Sequence, residues 1–292
     1  MVPSNFLDLP PEAAEYGPAA YAVLPAGYDG TSTWKKGADR GPDAILEASS
    51  QVELYDIETG GQAWKRGIHT LPHVSAPSVT FVSPEECVAS VQSAAAKIFA
   101  DGKVPVILGG EHTVAVGGAW AAADFFRDLT VLQLDAHGDL RDSYEESGFN
   151  HACVMARIRE RSPIVQAGIR SISPEEAEII DRDRTFFARE IHCGNGGWIE
   201  RLLPLLTTRV YITLDLDVFD PAYVPSTGTP EPGGLDWYQV TGLLKAVAAR
   251  SQIVGFDVTE LCPGGHHASE FLAAKLIYKI MSYREEYTNG KA

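Results

Sequence analysis

Residues 131–140 read VLQLDAHGDL, a Val/Leu run that passes straight into Asp135, His137 and Asp139 at alternate positions. A short apolar run of this kind marks a strand covered on both faces. Side chains two apart on extended backbone share a face. The spacing therefore predicts two carboxylates and an imidazole side by side at a buried strand end. Like charges gathered there are costly, or take up protons, unless something positive sits between them.

Similar runs, each short and rich in Val, Ile and Leu, recur at 19–29, 104–112, 129–137, 163–171, 209–219 and 252–261. Helical patterns lie between them. Ser83, Glu86 and a closing Gly102 predict a capped helix over 83–102. Ser173-Pro174 followed by acidic residues opens another over 173–184. Apolar residues at three- and four-residue spacing mark 234–251 and 267–287. Such alternation predicts an α/β fold in three layers, with a mainly parallel sheet between helices. No repeat, low-complexity tract or linker divides the chain, so residues 1–292 are expected to form a single domain. In sheets of this class ligands bind beyond the carboxyl ends of the strands, and every unusual polar cluster in this chain falls at such an end.

Composition narrows the partners. With 24 Lys and Arg against 39 Asp and Glu, the net charge is −15, which argues against nucleic acid or an anionic membrane. An acidic field suits a cationic substrate and also keeps a protein soluble. The opening residues lack a basic stretch followed by an apolar core, so no secretory signal is expected. No apolar stretch is long enough to span a bilayer. Cys87, Cys153, Cys193 and Cys262 stand far apart without a CxxC pair, the usage expected of free thiols in a reducing cytoplasm.

Four strand ends carry chemistry. GGEHT (109–113) supplies His112, and DAHGD supplies Asp135, His137 and Asp139. LDLDVFDP (214–221) gives Asp215 and Asp217, and DVTEL (257–261) gives Glu260. Any one of these alone reads as a cap, a turn former or a hydrogen-bonded core residue. Together the first three offer four carboxylates and two imidazoles, a ligand set for Mn²⁺, Fe²⁺ or Zn²⁺ in which the lack of thiolates favours Mn²⁺. Six ligands exceed what one catalytic ion needs, so two ions sharing carboxylates are expected. Two dications balance four carboxylate charges, and a water between them ionises near neutral pH.

These segments resemble the ureohydrolase (arginase/agmatinase) family. GADRGPDAILEAS (37–49), GGEH, DAHGDLRD, NHACVMARI (150–158), AGIRS (167–171), DLDVFDPAYVPSTGTPEPGG (215–234) and DVTEL stand in that family's order over most of the chain. TGTPEPGG and GIRS are more similar to agmatinases than to arginases. The resemblance implies an arginase-like fold and two Mn²⁺ ions per chain. One would be held by His112, Asp135, Asp139 and Asp215, the other by His137, Asp135, Asp215 and Asp217. It further implies that Glu260 holds the guanidinium group and that His151 or Asp139 gives a proton to the leaving amine. Two departures stand out. Glu111 replaces the Asp that many members carry before the metal His, and Ser171 and Ser173 stand where arginases carry acidic residues.

The expected reaction is hydrolysis of a guanidino group to urea and an amine, with agmatine giving putrescine as the first reading. Aminopropylagmatine is the second, ahead of guanidinobutyrate and arginine. A cytoplasmic role in polyamine biosynthesis and a homo-trimer or homo-hexamer follow from the same resemblance. The loop at 140–150 adds Asp142, Glu145 and Glu146, one of which could attract the distal amine of a cationic substrate. Outside this class, a two-metal phosphoesterase would need a separate GNH segment and an arginine cluster. A deacetylase would use fewer metal ligands. A non-catalytic regulatory homologue would be expected to have lost one of the eight site residues.

Overall fold

The computed structural model describes residues 5–74, 83–194, 196–264 and 267–289. In chain order the first elements are β1 (Tyr21–Ala26), α1 (Gly41–Ser49), β2 (Ile68–Thr70), α2 (Pro84–Ala100), β3 (Val104–Gly109) and α3 (Val114–Phe125). Next come β4 (Leu129–Leu134), α4 (Val154–Ile158), β5 (Ile164–Ile169), α5 (Pro174–Ile179), β6 (Thr185–Phe187) and α6 (Ala188–Cys193). The rest are α7 (Trp198–Leu202), β7 (Arg209–Asp215), α8 (Trp237–Arg250), β8 (Gln252–Thr259) and α9 (His267–Asn289). All pairings between these strands are parallel, in the order β2-β1-β3-β8-β7-β4-β5-β6.

Strand residues alternate between two apolar cores. Tyr21, Val23, Val106, Leu132, Ile212 and Phe256 face the layer of α1, α8 and α9, where Ile45, Leu244 and Ile277 meet them. Ala22, Leu24, Ile107, Val131 and Tyr211 face α2, α3 and α4 through Val91, Val116 and Met155. This is the three-layer α/β arrangement expected of near-continuous apolar strands. Among the described residues no helix is long and apolar enough to cross a membrane.

The helix signals hold with one change. Ser83 and Glu86 form a reciprocal capping box at α2, and Asp236 and Gln239 do so at α8. Ser173 and Glu176 form a third at α5, but that helix stops after six residues because Ile180 turns extended. The edge strands β2 and β6 are three residues each, too short for a periodicity to register. Their brevity also limits the open edge.

Connectivity builds the cleft. After β3 the chain lays β4, β5 and β6 outward, then returns to fill the gap with β7 and β8. The strand order therefore reverses at the sheet centre, where the crevice beyond the carboxyl ends opens. The four strands that meet there are β3, β8, β7 and β4.

Candidate active site

Each of these four strands ends in a polar turn. Beyond β3, Gly110 packs so closely that a Cβ would lie 2.0 Å from the Tyr28 carbonyl oxygen, and His112 follows at the foot of α3. Beyond β4 come Asp135, His137 and Asp139. Asp215 closes β7, and Asp217 lies in the 3-10 turn behind it. Glu260 follows β8.

The clusters converge, though not along flat strands. β4 ends at Leu134, His137 rejoins the sheet through an isolated bridge to Ser171, and Asp139 has φ 52°. Glu260 has φ 66°. Left-handed backbone at two non-glycine site residues is strain that surrounding packing must hold. Part of that holding is visible: Gly168, at φ 96°, makes room for the Asp135 carbonyl, which a Cβ would approach to 2.9 Å.

The side chains form two groups that share Asp135. His112 Nδ1 lies 3.1 Å from Asp135 Oδ2, 2.9 Å from Asp139 Oδ2 and 3.6 Å from Asp215 Oδ2. His137 Nδ1 lies 2.9 Å from Asp217 Oδ2 and 3.7 Å from Asp135 Oδ1. Backbone amides aim the carboxylates: Ala136 donates to Asp217, His137 to Asp135 and Asp217 to Asp215, at 3.0, 2.6 and 2.8 Å.

Buried side chains behind them set orientation. Thr213 Oγ1 donates to Asp257 Oδ1 at 2.8 Å and so accepts from His112 Nε2, also at 2.8 Å. With one proton fixed on Nε2, His112 turns Nδ1 toward three carboxylates; that buried nitrogen has no hydrogen-bond partner, and against the cost of burial Asp135 and Asp139 hold the ring well above the ordinary imidazole range. A lone pair facing carboxylate oxygens is repulsive unless a cation or proton intervenes. The donor set of imidazole nitrogen and carboxylate oxygen without thiolate fits a divalent cation such as Mn²⁺. Asp135 is further fixed by Gln133, which donates to Oδ2 at 2.7 Å and accepts from Gln166 at 2.6 Å. Arg170 ties the turn after β7 down by donating to the carbonyls of Asp217, Val218, Phe219 and Glu231.

Electrostatics point the same way. Burial and neighbouring Asp135 push Asp139 up to about 7, and burial with Asp217 pushes Asp215 well above the carboxylate range. Burial and Glu111 do the same to Glu260. Although burial opposes its charge, Asp217 and Asp135 push His137 up to about 12. So many acids in one buried place call for positive charge.

The centre opens into a cavity of about 320 Å³ whose wall includes His112, His137, Asp139, Asp215, His151 and Glu260. Glu260 Oε1 accepts from the His112 amide at 2.7 Å. Burial and His137 hold His151 down to about 4, so its ring is neutral. Glu111 is fully buried beside the cavity, accepting from the Thr31 amide at 2.9 Å, from Thr31 Oγ1 at 2.8 Å and from Ser32 Oγ at 3.2 Å. Thr31 Oγ1 in turn accepts from the His151 amide at 3.1 Å. The long carboxylate thus staples the loop at 29–35 to the site. Ser171 and Ser173 both line the cavity. The loop at 140–150 contributes Arg141 and Tyr144 to that wall, while Asp142 is paired with Arg157 at 2.6 Å. Sequence reasoning passed over Thr31, Gln133, Gln166, Arg170, Thr213 and Asp257. The two glutamines had a signal, since each interrupts an apolar strand.

Residues 19–282 match the model of the Arginase family. The chain is 40% identical over 298 residues to the N(1)-aminopropylagmatine ureohydrolase of Synechocystis sp., covering 99% of this chain and 96% of that protein. It is 31% identical over 267 residues to the agmatinase of Pyrococcus horikoshii, covering 90% and 91%. The crystal structure of the agmatine ureohydrolase of Thermoplasma volcanium superposes with a TM-score of 0.86 at 33% identity, over 95% of this chain and 94% of that one.

Proposed function

Because the chain belongs to the arginase family, we propose that it is a ureohydrolase that cleaves the guanidino group of agmatine or of its aminopropyl derivative, releasing urea and the amine. The observation that carries this reading is the orphaned His112 Nδ1 among three carboxylates, open to a cavity in which Glu260 also stands. Ser171 and Ser173 in the wall favour a substrate without an amino-acid end. The aminopropyl form is favoured over agmatine by the higher identity to relatives that bear its name.

In this reading His112, Asp135, Asp139 and Asp215 would hold one Mn²⁺, and His137, Asp135, Asp215 and Asp217 would hold a second. Two such ions supply an activated water at neutral pH and neutralise developing negative charge. The chain's own groups do the rest. Glu260 pairs with the guanidinium, which stays charged in water, and turns its carbon toward the centre. A water oxygen adds to that carbon while Asp139 takes its proton, and the bond to the alkyl nitrogen breaks as that nitrogen takes a proton to leave as an amine. His151, neutral and facing the cavity, is placed to carry that proton, with Asp139 as its source. Assembly as a homo-trimer or homo-hexamer is part of the same proposal, and sedimentation tests it.

The first experiment measures urea from agmatine, aminopropylagmatine, arginine and 4-guanidinobutyrate, with metal-stripped protein and after Mn²⁺ is returned. Mn²⁺-dependent urea from one of the first two, at least about tenfold above the others, is expected. Silence across the metal-loaded panel overturns the reading.

A further inference from the structure

The proposed reaction leaves open how the far end of the substrate is recognised. Both proposed substrates carry an ammonium group beyond their butyl chain, and an ammonium is recognised either by a carboxylate or by an aromatic face. The carboxylates outside the central cluster are committed or do not line the cavity; Glu231, whose Oε1 stands 3.9 Å from His137 Nε2, is outside its wall. Glu176, in the cavity wall, spends one oxygen on the Leu140 amide and the other on the Ser173 amide, both at 2.8 Å. Asp142 is held by Arg157. Glu145 and Glu146 are exposed and do not line the cavity.

Among aromatic groups in the wall, Tyr144 already has the Arg141 guanidinium over its ring at 4.7 Å and His151 at its edge, with centroids 6.1 Å apart. Trp34 is different. It lines the same cavity, is 82% exposed, and has neither a ring nor a cation against it among the described residues. An unpartnered indole in a cavity wall is available to a ligand, and the segment that carries it is not loose. Asp29 accepts from the amides of Gly37 and Ala38 at 2.6 and 3.2 Å and pairs with Lys36 at 3.4 Å. At its other end Thr31 is stapled to Glu111. Gly228 lies between this segment and Glu260, since a Cβ there would be 3.5 Å from both the Lys35 carbonyl oxygen and Glu260 Oε2. Trp34 is thus displayed at the cavity by an anchored loop.

We infer that Trp34 is a specificity-determining residue whose indole face receives the distal ammonium of the substrate, with Glu111 and Thr31 as the support that presents it. This rests on the proposed hydrolase reading and adds the subsite for the amine end. A cation over an indole this exposed is worth enough to change affinity roughly two- to fivefold. The neutral hydrocarbon portion gains nothing from the charge, so the effect belongs to substrates with a charged tail.

The test compares an agmatine-type substrate that the wild type turns over with n-butylguanidine, which has the same chain without the ammonium. The first is read as KM and the second as KM or as an inhibition constant, on Mn²⁺-loaded enzyme. Trp34→Leu is expected to raise KM for the charged substrate roughly fivefold with kcat within twofold, and to leave n-butylguanidine within twofold. Trp34→Phe, which keeps a ring, should recover most of the loss. Equal changes for both guanidines, or none, overturn the subsite while the hydrolase reading stands. A wild type that hydrolyses no agmatine-type substrate overturns that reading and the subsite with it.

Discussion

Lys279 on α9 and His112 beyond β3 each lie buried among carboxylates, but only Lys279 brings a permanent cation with it. Its ammonium sits 3.0 and 2.9 Å from the two oxygens of Asp56 and 2.7 Å from Glu58 Oε2, to which Tyr283 also donates. Burial opposes charge there, yet the Thr59 amide and Lys279 hold Asp56 below the usual carboxylate range. Glu58, against the same opposition, is held down to about 2 by Lys279, Tyr283 and Lys245. In the cleft the carboxylates diverge: against burial, His112 and His137 hold Asp135 below the usual carboxylate range, while burial and Asp135 push Asp139 up to about 7. The first cluster is compensated within the chain and fastens the loop after α1 to α9. The second is compensated only in part by its own imidazoles, His112 and His137, and leaves Asp139 and Asp215 short of positive charge. Buried acids that fail to find a partner inside the fold are candidates for work outside it.

The comparison breaks hardest at Lys279. Lys279→Met leaves Asp56 buried and unpaired, which costs about 3–5 kcal/mol of stability, or on the order of 10 °C in Tm for a chain of this size. Urea release per metal-loaded site should stay within twofold. Calorimetry and kinetics on one preparation decide it, and an unchanged Tm would mean that the cluster holds nothing together.

Glu260→Gln should do the reverse. The guanidinium loses its charged partner, so kcat/KM falls by about a hundredfold or more. Metal content by atomic emission should be unchanged. Tm should hold or rise, because a buried carboxylate that resists ionisation has been removed. A variant with wild-type kcat/KM would take the guanidinium role away from Glu260.

Why these residues were legible and others were not follows from distance along the chain. Asp135, His137 and Asp139, like Asp215 and Asp217, announce themselves by spacings of two at strand ends. The inferred geometry of a shared strand face was too simple, since the turns and the positive φ of Asp139 bring them together instead. Thr31 gave no such signal, because its partners Glu111 and His151 lie 80 and 120 residues away. Thr213 and Asp257 are similarly joined only by the pairing of β7 with β8. Among the helices, α3 was invisible because Val114–Phe125 is apolar on nearly every side and carries no periodicity.

Gln133 sharpens the comparison on a finer scale, because it supports a ligand without being one. Gln133 and Gln166 pair in register across β4 and β5 and pass their hydrogen bonds to Asp135. Gln133→Leu keeps the apolar packing but frees the carboxylate to rotate. Mn²⁺ affinity, measured by calorimetry, is expected to fall about ten- to a hundredfold. Unaltered affinity would reduce the pair to a satisfied core contact.

The smallest effect expected is a slope, and it separates the two clusters without any mutation. Asp56 and Glu58 have folded pKa values below their unfolded ones. Their contribution is present above about pH 4 and is lost only as pH falls below it, toward about 2. Asp139 is the opposite case, since its folded value of about 7 lies above the unfolded one. Ionising it penalises the folded state, fully above pH 7, and the penalty fades as pH falls from about 7 to about 4. His137, raised to about 12, acts in the same direction, because its charged form stabilises the fold below the ordinary imidazole pKa and that gain fades as pH rises. His151, held down to about 4, acts the other way, but Asp139, Asp215 and His137 outweigh it, so chelated protein should gain Tm, by a few degrees, when taken from pH 8 to pH 5. Mn²⁺-loaded protein should lose it, because protons compete with the metal for the same ligands. Scanning calorimetry with and without chelator reads both slopes, and parallel slopes would mean that the cleft acids are compensated by the fold itself, as the Lys279 cluster is.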